Sequence, residues 1–368
     1  MRKLGVIAAL VLVLTLAART SSTNSATQTE AHAQVIPTAV TGAAGYFWLL
    51  GESRCATGTC PVVMRSTDGG KSFFRVGSPP ASVAYLDFAN HEDGYAYSQW
   101  SSDEPTALYW TGNAGKTWRL VPLRFPASRS PSMVIASGRA YLLVPGHCLA
   151  DGKCESQELA SSAVTGDTWT TTRLQLPVDE ATGPIGLAAF GSKVWLVAIG
   201  VGGNADLHVS DNDGRSFASL PSTGMEGLAC HATATSATTL WGFCATGMLG
   251  YAVRSTDGGR DFAALSGLRR PAANAGSILP LSSTEAVFAP GAPGVFWLTR
   301  DGGAHFSPLH FSSLWQNSSY LSSIAFASVT TWLMLGVQDP GEHSLVWRTT
   351  DGGRSWQRAR TPMLETGG

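Results

Sequence analysis

Charge is scarce in this sequence and nearly balanced in sign. Lys plus Arg number 25 against 26 for Asp plus Glu, which gives a formal net charge of −1 and a charged fraction of 14%. No basic run occurs that would follow a phosphate backbone, so nucleic acid is not an expected partner. No C-x-x-C pair occurs, and His208, His231 and His305 are too scattered to make a short zinc signature. The Asp-Gly-Gly turns described below lack the full ligand pattern of a calcium loop. No metal and no cofactor are therefore expected. Beyond the N-terminus no long apolar run exists, so no second segment could span a bilayer as a helix.

The first apolar run is itself informative. Arg2 and Lys3 precede an uncharged stretch from Leu4 to Ala18, the layout of a secretory leader and shorter than the about 20 residues a permanent span needs. Residues 1–33 are read as signal peptide and tether, with cleavage after Ala33 or earlier near Ala18. The expected location is secreted or extracytoplasmic, with membrane contact only through an uncleaved leader. Six cysteines fall into three local pairs, Cys55 with Cys60, Cys148 with Cys154, and Cys230 with Cys244, which suits disulfides in an oxidising compartment.

Gly is abundant, at 41 residues, and much of it recurs in one pattern. An octet of the form Ser/Thr-x-Asp-x-Gly-x-x-aromatic appears seven times, starting at Ser66, Thr111, Ser162, Ser210, Ser255, Thr299 and Thr349, between 44 and 51 residues apart. Asp68, Asp257, Asp301 and Asp351 supply the acid, Asn113 and Asn212 replace it in two copies, and Val164 stands in its place in the third. An Asp or Asn side chain accepts bonds from the turn's own amides, Gly takes a positive φ, and the ring anchors the following strand. The third turn, without its acceptor, is expected to be the loosest.

Between octets the chain carries four short β-type runs per repeat, as in Val83–Ala89, 94–100, 107–111 and 117–121 of the second unit. A repeat of four antiparallel strands, seven times over, fits radial packing around a channel better than two stacked sheets. The expected fold is all-β: a seven-bladed β-propeller over residues 34–359, with 360–368 as a tail. The ring is expected to close by packing between blades, because the chain begins with an inner strand and ends with an outer one.

The octet resembles the Asp-box, or BNR, repeat of sialidases, xyloglucan-active hydrolases, sortilin-type receptors and photosystem II assembly factor propellers. That resemblance implies the propeller turn and says little about activity. It also departs from the sialidase pattern, since Tyr46–Leu50 and Arg54 stand where a Phe/Tyr-Arg-Ile-Pro segment would supply the first arginine. The leading expectation is a noncatalytic binding or assembly propeller, a monomer recognising an extracytoplasmic protein or carbohydrate. The alternative is a glycoside hydrolase of sialidase-like or xyloglucan-active type, whose catalytic residues the sequence does not identify. The expected recognition face lies opposite the octets, where Trp100, Asp103, Arg124, Arg129, His147, Arg269, Arg270, Trp315 and His343 are the candidate ligand-binding residues.

Overall fold

Seven antiparallel sheets follow one another along the chain, each made of four consecutive strands in sequential order. They span residues 35–77, 83–120, 133–173, 185–220, 229–264, 277–308 and 320–358, hereafter blades 1 to 7. The computed structural model describes residues 35–55, 58–80, 83–98, 107–123, 133–145, 156–175, 185–199, 205–227, 229–246, 249–268, 272–273, 276–289, 296–309, 320–338 and 343–360. The expected leader and tether, the expected Cys148–Cys154 pair and residues 361–368 lie outside them. Among the described residues no helix is long and apolar enough to cross a membrane.

The first strand of each sheet is the axial one. Val35–Ala43 lies against Val83–Phe88 on one side and Tyr320–Phe326 on the other, and Ile185–Phe190 lies between Met133–Ala136 and Ala229–Ala234. Seven radial sheets around one axis, a seven-bladed propeller, result. One addition was not anticipated: Ala272–Ala273, in the connection from blade 5 to blade 6, pairs with the start of blade 5's third strand at Leu249 and Gly250. The strands also stop sooner than the apolar runs suggest. In blade 2 the outer strand is only Arg119–Leu120, because the Thr117 amide is already spent on the Asn113 side chain at 2.9 Å.

Alternation within each strand sends successive side chains to the two neighbouring blades. The buried apolar residues accordingly form seven clusters, one in each gap between blades. Trp48 and Val63 of blade 1 meet Leu86 and Phe88 of blade 2, with the Trp48 and Phe88 rings stacked at 3.8 Å. Burying one such ring contributes about 1.5–3 kcal/mol. The seventh cluster joins Phe47, Leu49 and Phe73 of blade 1 to Leu333, Leu335 and Val346 of blade 7.

Closure thus uses side-chain packing, with no strand exchanged between the first and last sheets. It also uses a backbone strap. The Arg360 amide donates to the Lys71 carbonyl at 2.9 Å beside a parallel bridge from Ser72 to Arg360. The same strap joins blades 4 and 5, where the Thr223 amide donates to Arg260 at 2.9 Å beside a bridge to Asp261. The first and last blades therefore meet through a contact that two sequence-adjacent blades also make. Two disulfides lie within blades: Cys55–Cys60 closes the turn between second and third strands of blade 1, and Cys230–Cys244 joins directly paired residues of blade 5.

Candidate functional site: the two ends of the ring and its channel wall

The octets link third to outer strands, so all seven lie at one end of the ring. The acidic octets of blades 1, 5 and 7 are built in the same way, and that of blade 6 differs in that Asp301 accepts the His305 amide alone among the described residues. In blade 1 the buried Ser66 hydroxyl donates to Asp68 Oδ1 at 2.8 Å and accepts the Gly70 amide at 2.8 Å. The same oxygen of Asp68 accepts the Lys71 and Ser72 amides at 2.9 and 3.0 Å. Burial alone would raise the Asp68 pKa, but bonds from Ser72, Ser66 and Lys71 outweigh it and hold it at about 2. Blades 2 and 4 keep the arrangement with Asn113 and Asn212, whose Oδ1 atoms accept the Thr117 and Ser216 amides at 2.9 and 3.0 Å.

The octet glycine does a second job. Gly70, Gly115, Gly214, Gly259, Gly303 and Gly353 all have positive φ, and each is pressed against the preceding blade. A Cβ on Gly214 would stand 2.3 Å from Leu159 of blade 3, and one on Gly353 would stand 2.7 Å from Trp332 and 2.9 Å from Leu309. The following octet also receives polar links from the blade before it: Trp48 Nε1 donates to the Ala114 carbonyl at 3.2 Å and Trp195 Nε1 to Gly258 at 3.0 Å. The octet end is therefore an interlocked rim whose carboxylates are committed to turns.

The strand order sends the loops from second to third strands and the connections between blades to the other end, while the hairpins from first to second strands stay beside the octets. Trp100, Asp103, Arg124, Arg129, His147, Arg269, Arg270 and Trp315 lie outside the described residues, and the strands that flank them terminate at the end opposite the octets. His343 opens the third strand of blade 7, paired with Gln338 at that same end. Of the nine candidates, His343 alone falls among the described residues. Among the described residues no group of three or more His, Cys, Asp and Glu side chains is placed to hold a metal ion.

The channel wall holds a group that sequence reasoning passed over. Asp87, on the inner strand of blade 2, accepts a hydrogen bond from the Tyr97 hydroxyl at 3.1 Å. Tyr97 is paired with Tyr85, and the two rings stack at 5.1 Å with Tyr85 still 42% exposed. The carboxylate keeps part of its surface open, yet it sits deep in the ring. That confinement raises its pKa to about 6 against the opposing bond from Tyr97. The Tyr97 hydroxyl is pushed up in turn, first by burial and then by the Asp87 charge. A signal was present in the sequence: in Val-Ala-Tyr-Leu-Asp-Phe a carboxylate interrupts a run that otherwise reads as a buried strand.

No family model matches the chain, and no curated protein matches it either. Solved structures do share its fold. YCF48 bound to a D1 peptide matches with a TM-score of 0.55 and 18% identity, over 88% of this chain and 94% of that one. The GH74 xyloglucanase from Xanthomonas campestris matches with a TM-score of 0.59 and 14% identity over 89% of this chain, which spans only 54% of the enzyme. The β-propeller domain of the trilobed protease from Pyrococcus furiosus matches with a TM-score of 0.58 and 6% identity, covering 88% and 97%. At these identities the likeness is one of fold. The proteins that share it include a xyloglucanase, a protease domain and a propeller solved with a bound peptide.

Proposed function

We propose that this is an exported noncatalytic propeller that recognises a protein or glycan partner through the end opposite the octet turns. The observation that carries the reading is the commitment of the recurring carboxylates: Asp68, Asp257, Asp301 and Asp351 each accept one or two amides of their own turn and are held as structural anions. Glycoside hydrolysis of the usual kind needs two carboxyl groups about 5–5.5 Å or 6.5–9.5 Å apart across the scissile bond, and the octets contribute none. A propeller solved with a bound peptide shares the fold over nearly all of its length, which supports the same reading. The leader-like N-terminus and the disulfides support export.

The test is capture by the purified protein from a secretome and from a glycan panel, with the Arg269→Ala/Arg270→Ala double variant beside it. A partner retained by the unsubstituted protein and lost by the variant, with an unchanged melting temperature, supports the reading. Turnover of sialosides or β-glucans by the unsubstituted protein would replace it with the hydrolase alternative.

A further inference from the structure

The seven axial strands read VIPTAVTGA, VAYLDF, MVIA, IGLAAF, ACHATA, SILP and YLSSIAF. Asp87 is the sole carboxylate among them, and none carries Lys or Arg. A carboxylate held away from bulk water ordinarily sits against a cation or several donors. Here Oδ2 receives one phenolic hydrogen bond, and among the described residues neither a second donor nor a cation reaches the group. Beside it lie the stacked rings of Tyr85 and Tyr97, the first of them 42% exposed. Tyr85 and Asp87 are two residues apart on one strand and therefore share a face. An anion with a free oxygen next to an open electron-rich ring surface is complementary to a guanidinium or ammonium group, through a charge-assisted hydrogen bond and a cation–π contact.

We propose that Asp87, Tyr85 and Tyr97 form a recognition site on the channel wall that takes one arginine or lysine side chain of a polypeptide partner. The inference rests on the binding reading above and gives the partner a chemistry: a basic side chain reaching into the channel. The neighbouring axial strands, 35–43 and 133–136, bring no titratable group to it. On blade 2 the facing ionisable groups are Tyr85, Tyr95 and Tyr97. Asp93 and Asp167 act on the Tyr95 hydroxyl instead. The Arg139 and Tyr141 side chains of blade 3 turn to the far side, where Tyr141 bonds Asp213 of blade 4 at 3.3 Å.

Calorimetric titration with acetyl-Gly-Arg-Gly-amide, using acetyl-Gly-Gln-Gly-amide as the uncharged control, tests the site directly. The arginine peptide should bind about tenfold or more tighter than the control, and Asp87→Asn should remove that preference. Tyr85→Ala, at an exposed ring, should weaken arginine binding about twofold to fivefold without lowering the melting temperature. Between about pH 7.5 and about pH 5 the affinity should fall in the unsubstituted protein and stay flat in Asp87→Asn. Equal binding of the two peptides, or an Asp87→Asn protein that binds arginine as well as the original, overturns the site. So does binding of a xyloglucan oligosaccharide that needs Tyr85 and ignores Asp87. Partner capture that depends on Arg269 and Arg270 but not on Asp87 would remove this inference alone and leave the binding reading standing.

Discussion

The octets of blades 7 and 3 occupy equivalent positions and are built differently. In blade 7, Asp351 Oδ1 accepts the Arg354 and Ser355 amides, each at 2.9 Å, Thr349 donates to it at 2.7 Å, and Gly352 and Gly353 both have positive φ. In blade 3 the Val164 side chain is buried in the gap to blade 2, and its amide donates to the Gly138 carbonyl at 3.0 Å. Gly166 bonds back to Ala163 at 3.2 Å, and Ser162 donates to backbone carbonyls. The Val164 and Gly166 amides, which correspond to those of Asp68 and Gly70, thus bond backbone carbonyls, while the Asp167 and Thr168 amides, which correspond to the two that Asp68 accepts, have no acid side chain at Val164 to receive them. What the turn has lost is the polar lock between blades. Tyr141 Oη of blade 3 bonds Asp213 in the octet of blade 4, whereas Tyr95 Oη of blade 2 and Trp169 Nε1 of blade 3 are buried without a partner among the described residues, their rings edge-on at 5.7 Å. One link survives, from Trp110 Nε1 to the Val164 carbonyl at 2.8 Å. Apolar packing and this one hydrogen bond therefore hold blade 3 to blade 2 without an octet carboxylate.

The largest effects should come from the glycines. Gly353→Ala places a Cβ against Trp332 and Leu309 at a φ of 83°. Left-handed strain of about 1–2 kcal/mol and overpacking of about 1–3 kcal/mol should together cost about 2–4 kcal/mol in urea unfolding. Gly166→Ala meets nothing within 4 Å and should stay within about 0.5 kcal/mol of the original. Equal losses at the two sites would show that the octet glycine is not an interlock.

Removing the acid should come next. Asp351→Ala strips two amides and two hydroxyls of their acceptor and should cost about 1–3 kcal/mol by the same measurement. Restoring the motif in blade 3 should not return that stability, because Val164→Asp buries a carboxylate in an apolar cluster. A more stable Val164→Asp protein would mean that the backbone of this turn readily reverts to the form of the others.

The two tyrosines should then differ in sign. Tyr141→Phe gives up a hydrogen bond to Asp213 and should lose about 0.5–1.5 kcal/mol, while Tyr95→Phe removes an unsatisfied buried hydroxyl and should be neutral or stabilising. Thermal melts of the pair decide it, and a clear loss at Tyr95 would reveal a partner for its hydroxyl.

Legibility in the sequence followed the range of the interaction. The octets, their number, the strands that run into Ser66, Ser210 and Thr349, and the pairing of Cys55 with Cys60 and Cys230 with Cys244 all depend on residues close together in the chain, and each is found in the fold. The closing strap was less visible, because Arg360 meets Lys71 only once seven blades have turned the chain through a full circle. Asp87 was hidden for a related reason. A single carboxylate in a short apolar strand gains meaning when six other axial strands prove to be without charge, which requires knowing which strands are axial. Of the nine candidate recognition residues, His343 alone falls among the described residues, where it opens the third strand of blade 7.

Acid titration sharpens the same contrast with the smallest signal. Asp301 is held at about 2 first by the His305 amide and imidazole, Asp351 and Asp68 are held at about 2 by turn bonds that outweigh burial, and Asp257 is lowered in the same manner. A carboxyl depressed below its unfolded value of about 3.9 stabilises the fold above that pH and loses this contribution as pH falls towards 2. The octets of blades 1, 5, 6 and 7 supply this acid limb, and those of blades 2, 3 and 4 carry Asn113, Val164 and Asn212 at the same position. Asp87 acts in the opposite sense. Its folded pKa of about 6 lies above the unfolded value, so its contribution is complete below about pH 4 and is lost as pH rises through 6. Urea midpoints followed across this range should therefore show two limbs of opposite slope. Asp87→Asn should flatten the upper limb and leave the lower one, whereas Asp68→Asn, which reproduces the octet of blade 2, should reduce only the lower. A lower limb unchanged in Asp68→Asn would mean that its turn bonds survive protonation, and the difference between acidic and neutral octets would then be one of geometry without charge.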